Sequence, residues 1–243
     1  MLPDMIHLKT VDSTNNYIFE NLSDIVDKQV VYSDRQTAGR GRFDRSWVSD
    51  QIGNVYLSVL LKPECELSKL AVIPQYMALV VTRVLEKYSI DSTLKWPNDV
   101  LVDGKKIAGI LTETRVKGNK LNHMVVGVGV NLRMDEEALS KINQEATAVN
   151  QIIGHPVGRD IFIHELRAVF FNQYDEVIRE GFKHIKDDYV LKSKYLGQKI
   201  CVKNGSIISE GIAARFSNSG ELELSSNGST ILLKAGEIVQ IMD

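Results

Sequence analysis

The sequence predicts an α+β domain over residues 1–193, followed by a small all-β domain over residues 194–243. Through the first part, apolar segments with strand-like and helix-like spacing are mixed. After Gln198 the helical periodicity stops, and turn dipeptides separate short apolar stretches, as in a small antiparallel barrel. These dipeptides are Asn204-Gly205, Ser219-Gly220 and Asn227-Gly228. With 243 residues, 44% of them hydrophobic, the chain suits one large domain plus a small one.

The first elements of the large domain follow from cap residues and apolar runs. A strand over 5–10 precedes Asp12–Asn15, whose side chains can cap a helix that ends near Leu22. Residues 29–33 predict a second strand. The run NVYLSVLL at 54–61 predicts a buried strand, because it is apolar and β-prone throughout.

The remaining elements are a helix, two hairpins and a helical region. The helix predicted over 67–88 starts late or bends at Pro74, which has no amide hydrogen. The predicted strands are 93–96, 99–102, 106–116 and 121–130, with turns at Asp103-Gly104 and Lys117-Gly118-Asn119. The predicted helices that follow are 135–142, 147–153, 159–180 and 182–191.

Composition excludes several classes of protein. The net charge of −2 and the pI of about 6.2 give no global positive field for nucleic acid. Cys65 and Cys201 stand far apart, outside any CxxC or cysteine–histidine cluster, and are interpreted as two isolated buried thiols. The five histidines have no metal-ligand spacing, so no protein-bound metal is expected. The N-terminus lacks signal-peptide features and no run is long enough to span a membrane, so cytoplasmic location is the default expectation.

The segment RQTAGRGRFDRSW at 35–47 is the first candidate for chemistry. Four arginines and two glycines occur in 13 residues. Arginine binds carboxylates and phosphates through two parallel hydrogen bonds, glycine lets the backbone approach a ligand, and Trp47 offers a flat face. The alternatives are a solvated basic loop that binds nothing, and a loop that binds RNA.

A second candidate is Lys95-Trp96-Pro97-Asn98-Asp99. Lysine is a point charge suited to a phosphate or a polarised carboxylate, and Pro97 ends the strand and fixes the turn that aims Lys95. The alternative is a surface lysine at a strand end.

Two further segments are less specific. Gly127-Val128-Gly129-Val130-Asn131-Leu132 lacks the third glycine of a dinucleotide fingerprint, so we reject that fold and expect the glycines to admit a ligand or a neighbouring strand. Asp12–Asn15 is either a plain helix cap or a set of hydrogen-bonding groups for a small polar ligand.

Together these segments resemble the biotin–protein ligase family. The matching strings, in family order and at family-like spacing, are DSTN (12–15), QTAGRGRxxRxW (36–47), NVYLSVLL (54–61), KWPNDV (95–100), GKKIAGILTE (104–113) and GVGVN (127–131). They cover most of the chain to about residue 155. The resemblance implies a mixed sheet flanked by helices, as in the class II synthetase-like fold shared with lipoate ligases, and a C-terminal SH3-like β-barrel.

The resemblance also implies a reaction and a set of site residues. Biotin and MgATP would form biotinyl-5′-adenylate, and a lysine of a biotin carboxyl carrier protein of acetyl-CoA carboxylase would then accept the biotin. Biotin would contact Ser13, Thr14, Asn15, Gln36, Gly39, Arg40, Gly41, Arg42, Lys95 and Gly109. ATP would contact Arg40, Arg42, Arg45, Trp47, Lys95, Asn98 and Asn131. Lys95, Arg40 and Arg42 would be catalytic, and residues 106–110 part of the wall.

The sequence departs from the family pattern in two places. It begins almost at the DSTN motif, so we expect the form without an N-terminal DNA-binding domain, with no DNA as partner. Thr147 stands where some members have a tryptophan over the adenine, which leaves the adenine contacts open. A lipoate–protein ligase, a biotin-responsive repressor and a nucleic-acid-binding module stay as alternatives, and the oligomeric state, including a homodimer, stays open.

Overall fold

A computed structural model describes residues 1–65, 67–117, 120–226 and 228–242. The large domain contains seven strands. They are β1 (Ile6–Val11), β2 (Val30–Gln36), β3 (Val55–Leu61), β4 (Thr93–Lys95), β5 (Asp99–Val102), β6 (Lys105–Lys117) and β7 (Lys120–Val130). All seven form one sheet in the order β1-β2-β3-β7-β6-β5-β4. Only β1 and β2 pair in parallel, so the predicted mixed sheet is confirmed.

Helices cover both faces of this sheet. The α-helices are α1 (Thr14–Glu20), α2 (Ile73–Glu86), α3 (Glu136–Ser140), α4 (Val149–Ile153), α5 (Arg159–Glu180) and α6 (Lys186–Lys192). A 3₁₀ turn over Leu67–Val72 precedes α2, so the late start predicted from Pro74 is confirmed. Another 3₁₀ turn, Gly181–His184, replaces the first part of the helix predicted over 182–191.

The alternation of side chains along each strand explains why a hydrophobic core lies on each face of the sheet. Along a strand, successive side chains point to opposite faces. Leu60 and Val125 therefore pack with Ile18 of α1, whereas Leu61 and Met124 join the main core beneath α2 and α5. All seven residues of β3 are buried, as the run NVYLSVLL predicts. The first turn of α1 is thereby held against the middle of the sheet.

The C-terminal domain is a five-stranded antiparallel sheet. Its strands are β8 (Lys199–Asn204), β9 (Ile207–Phe216), β10 (Leu222–Ser226), β11 (Ser229–Leu233) and β12 (Glu237–Met242), in the order β11-β10-β9-β8-β12. Within the described residues β11 and β12 do not pair, so the sheet is open where a closed barrel is expected. The turns predicted through 118–119 and at 227 lie outside the described residues, and the boundary at 193/194 stays a prediction.

Specific contacts join the C-terminal domain to the helices. The ring of Phe216 lies 5.7 Å from that of Phe182 and 5.1 Å from that of Tyr189, centroid to centroid. The Gly220 carbonyl accepts hydrogen bonds from Gln75 (Nε2, 2.7 Å) and Trp96 (Nε1, 3.2 Å). Arg42 and Arg45 also contact Gly236 and Glu237, which places the start of β12 beside the segment between β2 and β3.

Two smaller expectations can be compared with the structure. Cys201 is buried as predicted, whereas Cys65 is only partly buried. Among the helices that the structure describes, none is both long enough and apolar enough to cross a bilayer.

Candidate active site

A cavity of about 760 Å³ opens beside the middle strands of the large sheet. It collects residues from the start of α1, the segment between β2 and β3, the turn after β4, and strands β6, β7 and β12. The predicted site residues that line it are Ser13, Thr14, Asn15, Gln36, Arg40, Gly41, Arg42, Arg45, Trp47, Lys95, Asn98, Gly109 and Asn131. The motifs thus meet at one place, although they are spread over more than a hundred positions. Their roles toward ligands stay predictions.

The buried side chains of Thr14 and Asn15 line one side of the cavity, and buried Ser58 contacts both from behind; these three residues are here called the polar wall. Thr14 donates its backbone amide to Gln36 Oε1 at 2.8 Å, and its hydroxyl oxygen lies 3.2 Å from the same atom. The hydroxyl oxygen of Ser58 lies 2.6 Å from Thr14 Oγ1 and 2.5 Å from Asn15 Oδ1. Ser13 is the N-cap residue of α1, but its side chain makes no capping hydrogen bond within the described chain. The DSTN segment therefore supplies hydrogen-bonding groups to a wall, beyond simple helix capping.

Glycines of β6 and β7 form the base of the cavity. A Cβ on Gly127 would lie 2.6 Å from Asn15 Oδ1, and one on Gly129 would lie 2.4 Å from the Trp47 ring. Both are closer than real Cβ contacts, so these positions need glycine for close approach. The GVGVN glycines were expected to admit a ligand or a neighbouring strand; in the structure the groups that approach them are the side chains of two predicted site residues, Asn15 and Trp47.

The segment over residues 37–53, here called the Arg/Gly loop, folds back on itself. Gly41 donates its amide to the Arg45 carbonyl at 2.6 Å, and Trp47 donates to the Gly39 carbonyl at 2.9 Å. Of the residues predicted to contact biotin or ATP, Gly39 alone does not line the cavity, and in the predicted wall segment 106–110 Ile107 and Ala108 belong to the hydrophobic core instead. A Cβ at Gly39 would lie 2.1 Å from Ser49 Oγ. Glycine is needed at this position because two parts of the loop touch there. A sequence motif shows that a glycine is required, but it does not show whether the group that comes close is a ligand or the loop itself.

Two arginines connect the Arg/Gly loop to the C-terminal domain. Arg42 donates from Nη1 to Asn98 Oδ1 at 2.9 Å and to the Gly236 carbonyl at 3.1 Å. Arg45 forms a two-point contact with Glu237, one hydrogen bond of which is 2.8 Å long. Burial lowers the pKa of Arg42 from its ordinary value, against the raising effect of Asp99 and Glu237. A partly buried guanidinium next to an open cavity is a group suited to binding an anion.

Burial raises the pKa of Glu237, but the hydrogen bond and charge of Arg45, with Lys95 and Lys106 farther away, lower it overall. Glu237 comes from the all-β domain and lines the cavity. Sequence reasoning missed it, because nothing near residue 237 resembles a motif that carries chemistry.

Two lysines face the cavity in different surroundings. Lys95 is the last residue of β4 and is partly buried, and the described residues give it no ion pair. Lys106 forms a 2.8 Å ion pair with Asp99, and its Nζ lies 5.5 Å from the centre of the Trp47 ring. The side chains of Lys106 and Asp99 are only 16% and 10% exposed. Lys106 is therefore a second fixed cation of the cavity. The sequence analysis predicted it only as part of the cavity wall.

The two predicted asparagines hold backbone segments together. Asn98 donates to the Ile110 carbonyl at 2.7 Å, and Asn131 donates to the Thr147 carbonyl at 3.0 Å. Thr147 in turn donates its amide to the Lys106 carbonyl at 3.0 Å. Thr147 is thus fixed near the cavity by its main chain. In the described part of the chain, no group of three or more histidine, cysteine or acidic side chains could hold a metal ion.

The cavity is thus lined by neutral polar groups on one part and by cationic side chains on another. Residues 8–131 match the sequence model of the biotin/lipoate A/B protein ligase family. The chain belongs to this family. It is 30% identical over 239 residues to the biotin–[acetyl-CoA-carboxylase] ligase of Paracoccus denitrificans, an alignment that covers 95% of this chain and 98% of the relative.

Other relatives differ in length and in the extent of the match. The bifunctional ligase/repressor BirA of Bacillus subtilis (strain 168) is 32% identical over 159 residues, and the match covers 65% of this chain and 49% of BirA. The alignment thus spans about half the length of that relative. Among solved structures, the biotin protein ligase from Aquifex aeolicus in complex with biotin and ATP is similar, with a TM-score of 0.82, 29% identity and 97% of both chains covered.

Proposed function

We propose that this protein is a biotin–protein ligase that activates biotin with ATP and transfers it to a lysine of a carrier protein. The observation that carries the proposal is the two-ended cavity. Neutral hydrogen-bonding groups of the polar wall line one end, and Arg42, Lys95 and Lys106 bring three cations to the same space. This distribution fits an acid that has a neutral polar ring at one end and a carboxylate at the other.

In the first step, an oxygen of the biotin carboxylate attacks the α-phosphorus of ATP. A bond forms between them, the bond from the α-phosphorus to the bridging oxygen breaks, and pyrophosphate leaves with the electron pair. Two anions must approach each other, so cations fixed beside the reacting atoms relieve their repulsion. Lys95, Arg40 and Arg42 are proposed as catalytic residues, as the motifs predict, and the ion-paired Lys106 is added here because it faces the same cavity.

In the second step, the amine of a carrier lysine attacks the carbonyl carbon of the adenylate. An amide bond forms, AMP leaves and the amine loses a proton. The chain needs no covalent nucleophile for this, because the mixed anhydride is already activated. The Arg/Gly loop would shield this anhydride from water. The acceptor is proposed to be the biotin carboxyl carrier protein of acetyl-CoA carboxylase, the enzyme named in the relative from Paracoccus denitrificans.

The nucleotide is proposed to enter as its Mg²⁺ complex. Magnesium is usually held by one or two carboxylates together with substrate phosphates, without a cage of protein ligands. Asp99 and Glu237 line the cavity and are the carboxylates that would share the ion with the phosphates, in place of their present pairs with Lys106 and Arg45.

The test is exchange of labelled pyrophosphate into ATP, with biotin and lipoate compared side by side. We expect exchange that depends on biotin and label on a single lysine of a biotin carboxyl carrier domain. Exchange that depends on lipoate would overturn the proposal in favour of the related lipoate ligase. A chain that supports neither, yet retards labelled RNA in a gel at moderate salt, would point to the nucleic-acid alternative.

A further inference from the structure

Glu113 of β6 links the Arg/Gly loop to the polar wall, and the proposed chemistry has so far given it no role. Its Oε2 accepts a hydrogen bond from Arg40 Nη2 at 2.6 Å and one from Asn15 Nδ2 at 2.8 Å. We propose that Glu113 is a positioning residue that orients the Asn15 amide and the Arg40 guanidinium for the acid substrate. This inference rests on the proposed function and deepens it.

The Asn15 amide has two ends of nearly equal shape, and its surroundings fix which end points where. Its Nδ2 faces two acceptors, Glu113 and the Leu111 carbonyl at 3.4 Å. Its Oδ1 lies 2.5 Å from the Ser58 hydroxyl. A flipped amide would put its oxygen against a carboxylate and a carbonyl inside a nearly dry wall, since Asn15 is 3% exposed. Glu113 is the charged member of this set, and a hydrogen bond to a charged group is the stronger kind.

The orientation of Asn15 sets the direction of the neighbouring hydrogen bonds. Asn15 Oδ1 can only accept, so the single Ser58 proton is directed to it. Ser58 Oγ can then accept from the Thr14 hydroxyl at 2.6 Å. Gln36 Oε1 does not depend on that proton, because it already receives the Thr14 amide. Donation therefore runs from Thr14 through Ser58 and Asn15 to Glu113, and Thr14 Oγ1 keeps its lone pairs as an acceptor for a polar ligand.

The charge of Glu113 also links two parts of the structure. Arg40 lies on the Arg/Gly loop, whereas Glu113 lies on the central sheet, and the described residues give Arg40 no second carboxylate partner. The side chains of the pair are 39% and 28% exposed, so the contact is partly shielded from water. Glu113 thereby sets the distance between the loop and the wall. A neutral residue of the same shape would keep the packing and lose this attraction, which separates positioning from a purely structural role.

The experiment starts from Glu113→Gln in the full chain, with KM for biotin and kcat measured by pyrophosphate exchange and biotin affinity measured by calorimetry. We expect KM and the dissociation constant for biotin to rise together by about tenfold, with a smaller change in kcat. The matched control is Glu165→Gln. Glu165 is 26% exposed, pairs with Lys87 at 3.2 Å and accepts from Tyr88 at 3.0 Å, far from the cavity. The control should behave like the wild type.

A second test moves the negative charge from residue 113 to residue 15. Asn15→Asp alone sets two carboxylates against each other and should weaken biotin binding more than Glu113→Gln does. In the double variant Asn15→Asp with Glu113→Gln the net charge is restored, and the new amide can donate to the new carboxylate, which still accepts from Ser58. We expect the double variant to bind biotin more tightly than Asn15→Asp alone, by about threefold or more.

The outcomes separate this inference from the proposed function. A wild-type chain that binds no biotin overturns both. A wild-type chain that binds biotin, with Glu113→Gln indistinguishable from Glu165→Gln, overturns the positioning role alone. Additive losses in the double variant also overturn it. Should the double variant not fold, as judged by its thermal melt, the comparison of the two Glu→Gln variants decides.

Discussion

At the scale of single residues, the two lysines of the cavity differ in ion pairing, although their side chains are the same. Lys95 ends a strand and has no ion pair in the described structure, so its charge is available to an incoming anion. Lys106 is already paired with Asp99, and both are nearly buried. Removing one partner of a buried pair leaves the other charge without compensation, which is costly for stability.

We therefore expect Lys95→Ala to slow adenylate formation by roughly tenfold to a hundredfold without lowering the melting temperature, because one charge-assisted contact contributes about 1.5–3 kcal/mol. Lys106→Ala should slow it at least as much and also lower the melting temperature. Pyrophosphate exchange and thermal melts of both variants check this. Lys95→Arg should recover activity only in part, since a planar fork does not replace a point charge. Near-normal exchange in Lys95→Ala would make Lys95 a surface lysine.

The two glycines of β7 permit a paired prediction. Gly127→Ala would displace the Asn15 side chain, and Gly129→Ala would displace the Trp47 ring. We expect Gly127→Ala to raise KM chiefly for biotin and Gly129→Ala to raise KM chiefly for ATP, each by roughly tenfold if the displaced group loses one good contact. Thermal melts of both variants check that neither loss comes from partial unfolding. Equal effects of both β7 variants on both substrates would contradict the assignment.

How much of the site the sequence predicts depends on where each residue stands in the chain. Of the residues predicted to contact biotin or ATP, all but Gly39 line the cavity. Glu237 and the two supporting residues Ser58 and Glu113 were missed, although Ser58 and Glu113 lie within the matching strings at 54–61 and 104–113. Each is an ordinary strand residue, and it matters to the site because it contacts a site residue that is distant in the sequence. Strand pairing and packing create that neighbourhood, and a local pattern does not contain it.

At the scale of elements, strand and helix positions were predictable to within a few residues, because periodicity and turn residues are local. The order β1-β2-β3-β7-β6-β5-β4 was not predicted, since it depends on pairings between distant segments. The Arg/Gly loop is the element where this matters most. Its sequence shows a polar segment, whereas the structure shows it held by Glu113 on one side and by Gly236 and Glu237 on the other.

We expect the Arg/Gly loop to become more protected when ligand binds. Few apolar side chains hold it, and Phe43 is 49% exposed. Ordering its backbone costs about 1–2 kcal/mol per residue, which contacts with the adenylate would offset. Hydrogen exchange over residues 40–50, with and without biotin and ATP, measures this change. Peptides from α5, which lies away from the cavity, serve as the reference. Equal protection of the loop in both states would show that it is already ordered before ligand binds.

At the scale of the whole molecule, the cavity is built jointly by the two domains. Glu237 of β12 fixes an arginine of the Arg/Gly loop, and Gly220 accepts hydrogen bonds from α2 and from the residue after β4. Hydrogen bonds therefore connect the C-terminal domain to the end of β4, where Lys95 lies. Loss of the interface should affect both stability and the cationic end of the cavity.

Phe216→Ala tests this coupling. The ring is 1% exposed and packs edge-on against Phe182 and Tyr189, which belong to the helical layer of the large domain. Truncating a buried phenylalanine costs about 3–5 kcal/mol, through lost burial and the cavity left behind. For a chain of this length that corresponds to a fall in melting temperature of roughly 6–20 °C. Because the residue lies at the interface, we expect one calorimetric transition that moves as a whole.

Ile208→Ala is the matched control for that measurement. Ile208 lies on the same strand, β9, but is 62% exposed, so its truncation should change the free energy of unfolding by less than about 0.5 kcal/mol. Two separate transitions, with only the smaller shifted by Phe216→Ala, would mean that the C-terminal sheet unfolds independently. The contact between Arg45 and Glu237 would then be a loose association between two domains. A single shifted transition, with a parallel loss of pyrophosphate exchange near the melting range, would mean that the cavity exists only while both domains are folded together.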